Sequence, residues 1–143
     1  FADPPTWRAV RLAKKVAAGA DFVQTQCVFN MDRFVQFMNQ ARDMGLTEKV
    51  SILAGITPMK NVGMARYMAS KVAGMDVPEA LIQRMAGVPK EKQADEGIKI
   101  AVETIQLVRE IKGVAGVHLM AIEWEQKVPE ILKAAGLDKR PAV

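Results

Sequence analysis

The stretch "DFVQTQCVFN", residues 21–30, reads as a β-strand but carries two glutamines, Gln24 and Gln26. A core strand favours valine at such positions, and each amide brings one acceptor and two donors that need partners. Alternate strand residues share a face, so Phe22, Gln24, Gln26 and Val28 are expected on one side and Val23, Thr25, Cys27 and Phe29 on the other. The second set suits packing under helices. The first then points at something polar or at a cavity. Gln26 lies late in the strand, where an amide could read the paired donor and acceptor atoms of a heterocycle edge. A core glutamine bonded to its neighbours or to ordered water fits the same pattern.

Other residues at strand ends offer further chemistry. In "ILAGITPMKN", Gly55 stands where a strand turns out into a loop, allowing close backbone approach to a ligand or serving the turn alone. "GVHLMAIEWE" ends on Glu123, Trp124 and Glu125, where a carboxylate and an indole could bind or catalyse, or form a helix cap and a packing aromatic. His118, the only histidine, falls early in its expected strand and reads as a hydrogen-bonded core residue. Most of the nine methionines, Met38, Met64, Met68 and Met85 among them, sit on helical stripes and fill cores by default, while Met68 and Met120 could line a pocket. There is no G-x-G-x-x-G or G-x-x-x-x-G-K-[ST] phosphate loop and no G-x-S-x-G elbow. One His and one Cys do not assemble a usual zinc site, so no metal is expected.

Glycine, proline and caps divide the chain into the elements that must hold these residues. Helices are expected over 5–18, from the Asn30 cap to Gly45, through Met64, Tyr67, Met68 and Val72, from Pro78 past Met85, over 93–112 and over 126–135. Strands are expected over 21–29, 49–55 and 116–122. Strands separated by helices need crossover connections, so the sheet should be parallel. A parallel sheet buries both faces, which sharpens the question raised by the glutamines. In an eight-stranded α/β barrel their face is the interior, with the active site at the C-terminal mouth. The last residues, "DKRPAV", are expected to fray.

At 143 residues, half of them hydrophobic and a quarter charged, the chain suits one ordinary soluble domain. Its apolar runs are too short for a membrane span, and no signal peptide is evident. The chain begins with Phe1 rather than Met, which suggests upstream removal or a piece of a longer protein. A single cysteine suits a reducing cytoplasm. The net charge of +4 is spread out, with small clusters at Lys14 and Lys15, Lys90 and Lys92, and Lys139 and Arg140. Nucleic-acid binders more often gather such charge into a stripe with interleaved aromatics, so no nucleic-acid partner is expected.

The run "KKVAAGADFVQTQCVFN", then "GITPMKN", then "GVHLMAIEW" resembles the C-terminal portion of methylenetetrahydrofolate reductases. The likeness covers about residues 7–137 in order. It implies α/β architecture: the C-terminal three βα units of a (β/α)8 TIM barrel, with 1–143 as a single partial barrel domain. The implied activity is flavin-dependent reduction of 5,10-methylenetetrahydrofolate to 5-methyltetrahydrofolate, within one-carbon metabolism and methionine biosynthesis. The implied cofactor is a flavin, FAD or FMN. The electron donor would be NAD(P)H or a partner subunit, and the protein an oligomer. Gln26 matches the family glutamine that binds the pterin, with Met68, Tyr67 and Gly55 shaping the substrate pocket. Lys15 matches the family lysine that approaches the flavin, with Met120 and Trp124 also on the cofactor side.

The chain departs from the enterobacterial form, which has tyrosine and arginine where this chain has Met120 and Trp124, and phenylalanine where it has Met68. "HLMAIEWE" looks closer to the form of anaerobic and acetogenic bacteria. The family's catalytic acid belongs to the first strand, which would precede Phe1, so no catalytic residue is assigned. The isolated chain is therefore expected to be inactive. A non-catalytic half-barrel that binds folate or a partner, and a pterin-dependent methyltransferase barrel, remain as alternative readings.

Overall fold

Three short strands separated by helices leave no room for hairpins, and all their pairing is parallel. β1 (Phe22–Cys27), β2 (Ser51–Ile56) and β3 (Val114–Leu119) form one sheet in the order β1-β2-β3. The computed structural model describes residues 4–139. Arg140 and most of the tail expected to fray lie outside the described residues, as does Phe1.

Among the described residues six helices flank the sheet: α1 (Trp7–Ala17), α2 (Met31–Asp43), α3 (Val62–Lys71), α4 (Glu79–Ala86), α5 (Gln93–Arg109) and α6 (Val128–Ala134). The architecture is therefore α/β, a parallel sheet with flanking helices, as expected. Asn30 caps α2 by accepting the Arg33 amide at 3.1 Å, and Asn61 caps α3 by accepting that of Met64 at 2.9 Å. Such caps satisfy amides that have no partner inside the helix. Gly45 follows α2 with φ of 63°, a conformation that favours a residue without Cβ. Short 3-10 turns, at Leu46–Glu48, Lys90–Lys92 and Glu125–Lys127, occupy places where no element was expected or where a helix was drawn too long. Among the described residues, no helix is long and apolar enough to cross a membrane.

The core has two parts. Behind the sheet, Ile52, Ala54 and Ile56 of β2 meet Met38 and Ala41 of α2, Ile105 and Val108 of α5 and Ile131 of α6. Beyond the strand ends, Cys27, Phe29 and Met59 pack with Met68, Met85 and Ile100 under α3 and α4. Each fully buried side chain of this size contributes about 1.5–3 kcal/mol relative to exposure. Gly97 on α5 lets the loop after β2 settle here, because any Cβ would collide with the Met59 carbonyl. Gln93 completes the fit by accepting the Val62 amide at 3.0 Å.

Two expectations about the strands need correcting. The simple alternation along β1 fails at its C-terminal end. Gln24 pairs with Leu53 but Cys27 with Gly55, so β1 carries one extra residue, a bulge at Thr25–Gln26. The Thr25 hydroxyl accepts the Gly55 amide at 2.9 Å and donates to the Gln26 carbonyl at 2.9 Å, replacing a ladder bond. Beyond the bulge the faces exchange: Val28 joins the core behind the sheet, while Cys27 and Phe29 turn to the second cluster. The other correction concerns β3. It begins at Val114, directly after Gly113 with φ of 96°, and ends at Leu119 rather than Ile122.

Candidate functional site

The bulge sets the aim of Gln26. A regular strand would bury or expose the side chain by strict alternation. Here the Gln26 Oε1 accepts the Cys27 amide at 3.2 Å, while Nε2 reaches toward the loop after α3, 3.8 Å from where a Gly74 Cβ would stand. One end of the amide is thus held by backbone, and the other remains a pair of donors at the sheet's C-terminal edge.

That edge opens on a cleft of about 580 Å³, within the usual range for small-molecule sites. Three kinds of surface line it. β1 supplies Gln24 and Gln26. α1 supplies Arg8, Arg11 and Lys15, whose spacing of three and four residues puts them on one helical face. α2 supplies Phe34 and Phe37, with ring centroids 6.3 Å apart. The carboxylate of Asp76 also borders the cleft, but it accepts from Asn30 Nδ2 at 2.8 Å and pairs with Arg33 at 2.9 Å. The cleft therefore combines an apolar floor, a cationic wall and an amide. Such a surface suits a flat ring system carrying an anionic group.

Gln26 and Lys15 thus line the same cleft. Gly55 lies against the bulge: a Cβ there would stand 2.6 Å from the Thr25 carbonyl oxygen, 3.0 Å from that of Gln26 and 3.0 Å from Met120 Cε. Its missing side chain is required by protein backbone. Met120 reaches across this spot, so Gln26, Gly55 and Met120 are contiguous. Met68 is only 3% exposed within the second core cluster, and Tyr67 beside it is 61% exposed on α3. Neither borders the cleft.

Trp124 and His118 do not lie where the sequence suggested. Trp124 is buried with Ala121 and Ile131 in the core behind the sheet, so it is the packing aromatic of the two options and does not face the cleft. The physical reason is the turn at Ala121–Trp124, closed by the Trp124 amide donating to the Ala121 carbonyl at 2.9 Å. Glu123 within it has φ of 50°, and its carbonyl accepts from Lys60 Nζ at 2.8 Å. His118 is fifth of the six β3 residues rather than early. It is half-buried, and its imidazole has no hydrogen bond among the described residues.

Cys27 ends β1 beside Gln26. Its Sγ lies 2.9 Å from Thr57 Oγ1, and burial pushes the thiol above its ordinary value despite that hydrogen bond. The cationic wall went unread in the sequence, although the Arg8, Arg11, Lys15 spacing was there to be seen. Thr25 gave no comparable signal, because its role depends on the pairing of β1 with β2.

The model of the methylenetetrahydrofolate reductase family matches residues 2–136. The chain is similar to "Methylenetetrahydrofolate reductase 2" of Schizosaccharomyces pombe, with 33% identity over 135 residues, covering 88% of this chain and 20% of that protein. It is 27% identical over 139 residues to the "Probable methylenetetrahydrofolate reductase (NADPH)" of Caenorhabditis elegans, covering 94% and 20%. It is 29% identical over 132 residues to "Methylenetetrahydrofolate reductase (NADH) 1" of Arabidopsis thaliana, covering 88% and 21%. The chain therefore spans about a fifth of the length of the curated relatives it matches.

Proposed function

The chain belongs to the methylenetetrahydrofolate reductase family, and from that premise we propose that it forms the folate-reading part of an enzyme that reduces 5,10-methylenetetrahydrofolate to 5-methyltetrahydrofolate. Its three strands would be the last three of an eight-stranded barrel, with the mouth at their C-terminal ends. The carrying observation is that Gln26, aimed by the bulge, borders one cleft together with Lys15.

Within this reading Gln26 presents its Nε2 donors to the pterin, and the bond from the Cys27 amide to Oε1 holds the side chain ready. Holding it ready lowers the entropy lost when the substrate is oriented. Gly55 acts by permitting the bulge, while Met68 and Tyr67 bear on the pocket through the position of α3.

A bound flavin, FAD or FMN, supplies the hydride chemistry. Lys15, with Arg8 and Arg11 on the same helical face, fits the phosphate or ribityl oxygens of such a cofactor, and the Met120 thioether suits the side of a flat ring. Trp124 does not fit a cofactor contact, since it is buried behind the sheet. The printed names of two relatives, one with NADPH and one with NADH, support a nicotinamide donor. A partner subunit as the source of electrons is the other option. Phe22 stands 58% exposed on edge strand β1, a surface suited to cover by another strand or subunit of an oligomer. The lone cysteine suits a cytoplasmic setting.

The test is Gln26→Ala in the full-length enzyme. Losing one or two hydrogen bonds of about 1–1.5 kcal/mol each should raise the folate KM roughly ten- to a hundredfold. Flavin content should not change. A parallel loss of flavin and activity would show that Gln26 serves the fold or the cofactor instead.

A further inference from the structure

The bulge that aims Gln26 is closed by a side chain as well as by backbone. Between the paired residues Gln24 and Cys27, β1 spends one residue more than β2 does between Leu53 and Gly55. A regular strand would offer the Gly55 amide a carbonyl. Here Thr25 Oγ1 accepts that amide at 2.9 Å and donates to the Gln26 carbonyl, also at 2.9 Å. Past the bulge, the Val28 amide donates to the Gly55 carbonyl at 2.8 Å. Both backbone polar groups of Gly55 are therefore tied to β1, one on each side of Gln26.

Gln26 depends on such ties more than a core residue does. It is exposed, so packing does not fix its orientation. Bonds to its two neighbours do: its carbonyl accepts from Thr25, and its Oε1 accepts the Cys27 amide at 3.2 Å. Threonine suits the first task because its branched Cβ leaves little freedom at χ1 and its hydroxyl can accept and donate at once. A hydroxyl has a single proton to donate, and this one goes to the Gln26 carbonyl. Thr25 borders the cleft, yet it has no donor left for a ligand there.

We infer that Thr25 is a positioning residue for substrate recognition: its hydroxyl holds the Gln26 peptide so that Nε2 is presented to the folate. This rests on the proposed folate role of Gln26. Bulges re-aim side chains beside functional sites. A hydroxyl bonded to both strands keeps that aim before the ligand arrives, so less order has to be gained on binding. Thr25 acts through Gln26 and takes no part in the chemistry itself.

The experiment is a double-mutant cycle in the full-length holoenzyme, read by equilibrium titration with 5-methyltetrahydrofolate and by flavin content. Thr25→Val keeps the shape and removes the hydroxyl, and should weaken folate affinity about five- to tenfold with flavin content unchanged. Thr25→Ser keeps the hydroxyl and should stay within about twofold of the unsubstituted enzyme. Stability falls in Thr25→Val whatever stands at position 26, because the buried Gly55 amide loses its acceptor. Affinity separates the roles. In a Gln26→Ala background, Thr25→Val should cost less than about twofold, since the group it aims is gone. Equal weakening in both backgrounds overturns the inference, as does unchanged affinity in Thr25→Val alone. Weakening beyond about fivefold in Thr25→Ser overturns it too, and needs no folded Val variant. If Gln26→Ala leaves folate affinity unchanged, the proposed function of Gln26 fails and this inference with it.

Discussion

Replacing Gly55 by alanine probes the link between the fold and the aim of Gln26. The new Cβ would stand 2.6 Å from the Thr25 carbonyl oxygen and 3.0 Å from that of Gln26. Carbon–oxygen contacts between strands settle near 3.3 Å, so β1 must retreat by roughly 0.7 Å. Met120 Cε, also at 3.0 Å, can swing aside, whereas the two carbonyls belong to the ladder. The retreat strains the Val28 amide bond to the Gly55 carbonyl, now 2.8 Å, and the Gly55 amide bond to Thr25 Oγ1, now 2.9 Å. Overpacking of this kind costs about 1–3 kcal/mol, and a weakened hydrogen bond adds about 1 kcal/mol. The expected loss is therefore about 2–4 kcal/mol in the full-length protein. Urea unfolding should show the midpoint falling by about 1–2 M with the slope unchanged. Gly45→Ala is the control. Nothing lies within 4 Å of a Cβ at that position, so only its φ of 63° is penalised, at about 1–2 kcal/mol. If Gly55→Ala destabilises no more than Gly45→Ala, the contacts at the bulge do not govern this region.

Two other perturbations test what secures the surroundings. Arg84 on α4 donates from Nε to Glu96 at 2.6 Å and from its two terminal nitrogens to Glu103 at 2.6 and 2.9 Å, both carboxylates lying on α5. Arg84→Met should cost about 1–2 kcal/mol by thermal or urea unfolding, since Glu96 is mostly buried and Glu103 half-exposed. The hydrogen bonds from Arg84 hold the Glu103 carboxyl below its ordinary 4.5, so their benefit is full above that pH and fades as pH falls through the lowered value. The stability gap between the two proteins should accordingly narrow below pH 4.5, and a gap that stays constant down to strongly acidic pH refutes the assignment. Cys27, buried against Thr57 with its thiol pushed up by burial, should react with iodoacetamide at mildly alkaline pH only as fast as the protein opens. Rapid alkylation of the native protein would contradict that burial.

Local patterns carried much of the architecture. Asn30 and Gly45 bracket α2 because a side-chain oxygen and a missing Cβ solve local problems at its ends, and those solutions are written in neighbouring residues. Helical spacing likewise put Met38, Met68 and Met85 in the core, where all three are found. The parallel sheet followed from strands set apart by helices. The resemblance singled out Gln26 and Lys15, and the fold places both on one cleft.

What the sequence alone could not decide depends on contacts between distant segments. Thr25 makes a bulge only because the Gly55 amide arrives beside its hydroxyl, and that bulge exchanges the faces of Val28 and Cys27. Trp124 turns inward because the chain after β3 closes a turn over the helix-side core, a choice unavailable to an isolated indole. His118 changes from an early strand residue to a late one because the register with β2 begins at Val114. Residue type and spacing determined which groups could do chemistry here. Strand register, which is a property of two chains of backbone and not of one, decided which of them meet.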